Sequence, residues 1–191
     1  MTVATLDDII TTVTNLASPG LIAIDGLPVS GKSTLADQLI DRLDLNCIYL
    51  DDFIAAPADW PSRTQPAFPF QYIRYDAFLD AIQALAQTGR CSYQPFDWST
   101  LSIAPEARTV TLDKSVIIEG VSSLHPDVAA LYSLKIFVES DRSTTLAAAY
   151  ARGVGEWATE WQQLFLPSAD LYMQSRPQTR CDLLYAGRGA V

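Results

Sequence analysis

Apolar residues fall into two alternating rhythms along the chain. Leu6, Ile9, Ile10, Val13 and Leu16 repeat at helical spacing, and Thr5 followed by Asp7 and Asp8 suits a helix start. Ser18-Pro19-Gly20 ends that helix, and Leu21-Ile22-Ala23-Ile24 is a short apolar run that predicts a buried strand. A glycine-containing loop follows, then a helix with Leu35, Leu39 and Leu43 on one face, then a strand over Cys47-Ile48-Tyr49-Leu50. Prolines at 57, 61, 66 and 69 forbid regular structure between Ala55 and Phe70, a length that suits a functional loop. Phe78, Ile82 and Leu85 predict a helix that stops at Gly89, with short strands beside it at Ser92-Tyr93-Gln94 and Thr109-Val110-Thr111-Leu112. Val116-Ile117-Ile118 and Leu134-Lys135-Ile136-Phe137-Val138 read as buried strands. Residues 143–152 and about 156–175 read as helices, and Asp182-Leu183-Leu184-Tyr185 as a last strand. Strands alternating with helices predict an α/β fold: a mostly parallel central sheet covered by helices on both faces.

Size and charge narrow the picture. A chain of 191 residues, 49% hydrophobic, suffices for one domain, and no repeat or linker divides residues 1–191. The net charge of -9 repels a phosphate backbone, so nucleic acid is not an expected partner. Cys47, Cys91 and Cys181 are scattered, which suits a reducing compartment. The first ten residues lack the basic region of a signal peptide, and no apolar run nears the roughly 20 residues of a membrane helix. The expectation is a cytoplasmic protein with no membrane partner; the sequence leaves a homo-oligomer open.

The informative chemistry sits in the glycine-containing loop. Gly26, Leu27, Pro28, Val29, Ser30, Gly31, Lys32 and Ser33 match G-x-x-x-x-G-K-[ST] between an apolar strand and an amphipathic helix. Such a loop turns backbone N–H groups around phosphate oxygens, and the helix after it presents its positive end. Lys32 reaches the outer phosphates of ATP, and Ser33, with Thr34 beside it, offers a hydroxyl to Mg2+. Pro28 removes one N–H from the cradle.

Asp51 and Asp52 follow the second strand, where ligands of open α/β sheets sit. A carboxylate there can take the proton of an attacking hydroxyl; the alternative is a solvated turn or helix cap. Glu119 ends an apolar strand as a Walker B acid does, suiting it to hold Mg2+ directly or through water. Asp25 reads as an acid that orients the loop. Arg74, Tyr75 and Asp76 precede a helix and can line an acceptor pocket, with Asp76 alternatively a cap. Arg63 can reach an anionic ligand, whereas Phe68, Phe70, Tyr93 and Trp98 either stack on an acceptor or pack. Trp157, Trp161 and Leu164 share a helical stripe that predicts core or interface, and His125 has no partner that would make it a metal ligand.

GLPVSGKST, YLDDF, VIIEGV and LKIFVESDRSTTLAAAYARG occur in the order and spacing of the uridine kinase and phosphoribulokinase-like family, and the chain resembles it over residues 20–189. The resemblance implies a P-loop NTPase fold of three layers, α/β/α, with a short helical lid at about 150–160, to which the helix read from spacing within 1–19 is added. It implies ATP and Mg2+, and a small-molecule acceptor, first a nucleoside such as uridine or cytidine. It implies Asp51, ahead of Phe53 in the D-x-F element, as general base and Glu119 as the magnesium-side acid. Phe96-Asp97 falls at a Y-D pair whose aromatic lies in the acceptor pocket. Arg152 matches a lid arginine, and Gly187-Arg188-Gly189 falls where the chain passes the nucleotide base. The chain departs from the family at Thr145, Ala148 and Ala149, where several lid arginines are expected. That departure keeps an ATP-binding regulator or an ATPase as the alternative; a GTPase lacks its N-K-x-D motif here.

Overall fold

Apolar runs with both faces buried assemble into one sheet. In the computed structural model, which describes residues 3–190, six strands pair in parallel throughout. They are β1 (Val3–Ala4), β2 (Leu21–Gly26), β3 (Asn46–Tyr49), β8 (Val116–Glu119), β9 (Leu134–Glu139) and β10 (Leu183–Ala186). Their order is β1-β10-β9-β2-β8-β3. The intervening strands form two small antiparallel pairs outside it: β4 (Arg90–Tyr93) with β7 (Arg108–Thr111), and β5 (Phe96–Asp97) with β6 (Ser102–Ile103).

Alternation along each central strand explains the three layers. Leu21, Ala23, Val116 and Ile118 pack on one side with α3 (Tyr75–Thr88). Ile22, Ile24 and Ile117 pack on the other, with α1 (Leu6–Thr14) and α2 (Lys32–Leu43). Burial of both faces is what a parallel sheet requires. Thr5 caps α1 through a reciprocal pair with Asp8, and α3 stops at Gly89, whose φ of 73° a Cβ would strain. No helix among the described residues is long and apolar enough to cross a membrane.

Three departures from the sequence expectations matter. β3 ends at Tyr49, and Leu50–Phe53 is a 3-10 turn carrying Asp51 and Asp52. β1 is a sixth strand too short for a periodicity to announce. The helix expected over 156–175 is broken into a 3-10 turn Gly155–Trp157, α5 (Ala158–Glu160), a π turn Trp161–Phe165 and α6 (Leu166–Met173). It is preceded by α4 (Arg142–Arg152) and Gly153. Met1, Thr2 and Val191, at the ends of the expected 1–191 unit, lie outside the described residues.

Candidate active site

The loop after β2 is built for close backbone approach. A Cβ on Gly26 would lie 2.5 Å from the Val138 carbonyl oxygen, and Gly31 opens α2 at φ 109°. Val29 takes φ 60°, a left-handed conformation costly for a β-branched residue. Ser30 Oγ is buried with no hydrogen-bond partner, a polar atom left over in the loop itself. Lys32 is buried; its Nζ donates to Leu27 O at 2.8 Å and lies 3.9 Å from Glu119 Oε1.

Two strand tips deliver the acids. Register places Tyr49 beside Glu119 and Glu119 beside Ile24, so β8 lies between β3 and the phosphate-loop strand. Gly120 allows the tips to meet, because a Cβ there would fall 2.3 Å from Leu50 Cβ. Burial pushes the Glu119 carboxyl up to about 7; Lys32 opposes the rise, and Asp51 and Asp25 add to it. Asp51 is open to the cleft yet ringed by protein. Lost solvation raises its carboxyl above the ordinary range, opposed by Lys32 and Arg152 and reinforced by Asp52. A raised carboxyl is a stronger base toward a hydroxyl.

Asp25 lies beneath this floor. It accepts from the backbone N–H groups of Gly26 (2.6 Å), Ser122 (3.1 Å) and Leu124 (2.9 Å), and from the Tyr172 hydroxyl. One buried carboxylate thereby ties β2, the segment after β8 and α6 together. The C-terminal turn braces the loop from above: Arg188 N–H donates to Ser30 O at 2.8 Å and Arg188 Nε to Val29 O at 3.2 Å.

Pro28 through Thr34, Asp51, Glu119, Arg152 and Arg188 line one cleft of about 310 Å³. Gly26, which is buried, and Leu27, which is half-buried, are not among the lining residues. Phe96 lines the cleft, whereas Asp97 accepts from Ser99 N–H and Oγ. Three expected acceptor contacts lie behind the wall instead. Phe53 is fully buried against Tyr93 and Phe78. Tyr93 donates to Asp52 at 2.8 Å. Arg74 spends its guanidinium on the carbonyls of Asp52, Ile54 and Gln94. These residues brace the 3-10 turn that holds Asp51.

The rest of the wall is aromatic, and much of it was hidden in sequence. Trp60, Tyr72, Trp157, Trp161 and Phe165 join Phe70 and Trp98 there. Trp157 and Trp161 thus face the cleft, and only Leu164 of that stripe enters the core. Arg63 lies over Trp60 and Trp157 and pairs with buried Glu160 at 3.5 Å. Phe68 packs on Tyr172, and His125 sits between Phe68 and Tyr75.

Oxygen donors alone, the Ser33 hydroxyl and the Glu119 and Asp51 carboxylates, suit a hard cation such as Mg2+ shared with phosphate oxygens. No cluster of three His, Cys, Asp or Glu side chains among the described residues would hold a metal unaided.

A parallel sheet, a glycine loop opening a helix and two acids at adjacent strand tips define a P-loop α/β protein. No protein-family model matches the chain. It is 27% identical over 150 residues to the uridine kinase of Clostridium botulinum (strain Langeland), covering 72% of this chain and 70% of that protein. It is 26% identical over 148 residues to uridine-cytidine kinase A of Dictyostelium discoideum, covering 74% of this chain but only 30% of that longer protein. Two solved structures named as candidate kinases share the fold. One, for uridine, from Bacillus stearothermophilus, has a TM-score of 0.72 at 21% identity and covers 94% of this chain and 96% of that one. The other, for a fructose transport system, from Silicibacter sp. TM1040, has a TM-score of 0.75 at 21% identity and covers 95% and 99%. The chain is thus similar in sequence to kinases named for uridine and shares its fold with P-loop kinase structures.

Proposed function

We propose that this protein, as a single domain, is an ATP-dependent phosphotransferase that moves the terminal phosphoryl group onto a hydroxyl of a small organic molecule. One observation carries the reading: Lys32, Asp51 and Glu119 converge on a cleft floored by the phosphate loop. The loop N–H groups and the start of α2 hold the phosphates, with Thr34 and Arg188 at the nucleotide side. Asp51 accepts the proton of the acceptor hydroxyl as the new O–P bond forms. Lys32 and Arg152 offset charge spreading over the transferring group. Ser33 and Glu119 would hold Mg2+, which supplies further charge neutralisation when bound. Residues about 150–160 would serve as the lid that excludes water. Similarity to kinases named for uridine makes uridine and cytidine the first acceptors to try.

The test is ADP release from Mg-ATP with uridine, cytidine, a sugar and a simple ring alcohol, beside Asp51→Asn. Transfer should fall about a hundredfold or more in the variant, with the affinity for a nonhydrolysable ATP analogue little changed. Acceptor-dependent ADP release that survives Asp51→Asn would sink the role given to Asp51.

A second reading is favoured by α4. Thr145 and Ala149 are buried, and Arg142 is engaged by Asp170, so Arg152 is the one cation of that helix on the cleft. An ATP-binding regulator would bind the analogue and release no ADP with any acceptor.

A further inference from the structure

The cleft has two chemistries. Its phosphate end carries Lys32, Arg152, Arg188, Asp51 and Glu119, whereas the wall beyond Asp51 is built from aromatic and aliphatic side chains. Among the described residues, no side-chain carboxylate, amide or aliphatic hydroxyl lines that second half. The polar groups that its side chains carry are the Tyr72 hydroxyl and the indole N–H groups, and the Trp60 N–H is already donated to Ala55 O at 2.9 Å. Four polar side chains near it in sequence are engaged elsewhere: Arg74 on carbonyls, Tyr93 on Asp52, Asp97 on Ser99 and Arg63 on Glu160.

We propose that the acceptor is a flat heteroaromatic ring carrying a single hydroxymethyl group, in preference to a nucleoside or a sugar. The inference rests on the kinase reading of the same cleft. Aromatic walls reward a planar ring through stacking and burial. A ribose diol would enter with two more hydroxyls, each needing a partner that this wall does not offer. Every buried hydroxyl left unpaired weakens binding on the order of tenfold. The available tips are mostly donors, which suits a ring nitrogen with a free lone pair and not a ring N–H. The reaction balances simply. The hydroxymethyl oxygen gives its proton to Asp51 and bonds to the terminal phosphorus. The bond to the bridging oxygen breaks, and ADP leaves with that electron pair.

Binding is measured by tryptophan fluorescence and calorimetry on the full chain with Mg2+ and a nonhydrolysable ATP analogue, using pyridylmethanol, benzyl alcohol, uridine and fructose as probes. Pyridylmethanol should bind at least tenfold tighter than uridine. Trp98→Ala, at a side chain 58% exposed and so tolerant of truncation, should weaken it about fivefold. Uridine or fructose binding as tightly as pyridylmethanol overturns the inference, as does the absence of ring-alcohol binding at millimolar concentration. ADP release measured in parallel separates the two readings. Transfer to uridine with weak ring-alcohol binding retains the kinase and removes the ring class. Tight ring-alcohol binding without transfer to any probe supports the ring class and removes the kinase.

Discussion

Replacing Asp25 by asparagine tests the knot beneath the phosphate loop. Oδ1 accepts from Gly26 and Ser122, and Oδ2 from Leu124 and Tyr172. Three of these neighbours are backbone N–H groups and cannot reverse; only the Tyr172 hydroxyl can turn to accept. In the best orientation the new amide NH2 therefore donates to Tyr172 and faces the Leu124 N–H. One buried donor is stranded, at about 1–3 kcal/mol, and the remaining bonds lose their charge assistance. A total near 3 kcal/mol follows, which for a chain of this length lowers the Tm by about 6–12 °C. Tyr172→Phe removes one donor, leaves the carboxylate satisfied and should cost about 1 kcal/mol. Thermal and urea melts at pH 7 read both. Burial raises the Asp25 carboxyl above its ordinary range, and the four donors offset only part of that rise. A loss under about 1 kcal/mol in Asp25→Asn would refute this account. It would mean that the acid is protonated and already donates to Tyr172 as an amide does.

Other expectations follow from the same geometry. Glu119 rises from its ordinary 4.5 to about 7 on folding, so the folded chain keeps a proton that the unfolded chain releases. Its contribution is therefore full below pH 4.5 and lost as pH climbs through about 7, a change of about 3 kcal/mol. Melts of metal-free protein in chelator should show that decline, and Glu119→Gln should flatten it; parallel curves would contradict the burial assigned to Glu119. Gly187→Ala would set a Cβ 2.5 Å from Val138 Cγ1 and 2.6 Å from Ser30 O. It should cost about 1–3 kcal/mol and weaken ATP-analogue binding, by calorimetry, because the Arg188 turn is pushed off the loop. Arg63→Ala leaves Glu160 buried without its cation, and since Arg63 is half exposed the loss should be about 1–2 kcal/mol in urea melts.

The two halves of the cleft differ in how much of them a sequence can show, and the reason is physical. Binding a phosphate needs consecutive backbone N–H groups on one turn, so Gly26 to Ser33 is contiguous and readable. Glu119 and Asp51 were readable for a related reason: each is the first charge after an apolar strand, and strand tips gather at one edge of a parallel sheet. A wall for an organic acceptor has no such constraint. Its members come from a proline-rich loop, a two-residue strand and a broken helix far along the chain. Trp157 and Trp161, four apart, give the same periodicity whether they face a core or a cleft, and the 3-10 and π turns that carry them leave no mark on spacing. The reverse error has the same origin. Arg74 and Tyr93 look available as residues, but their polar atoms are already committed to Asp52 and nearby carbonyls. Polar supply and polar demand are visible only after the chain has folded. On the proposed reading, acceptor specificity is therefore set by what the wall has left unpaired, and here that is mainly aromatic surface.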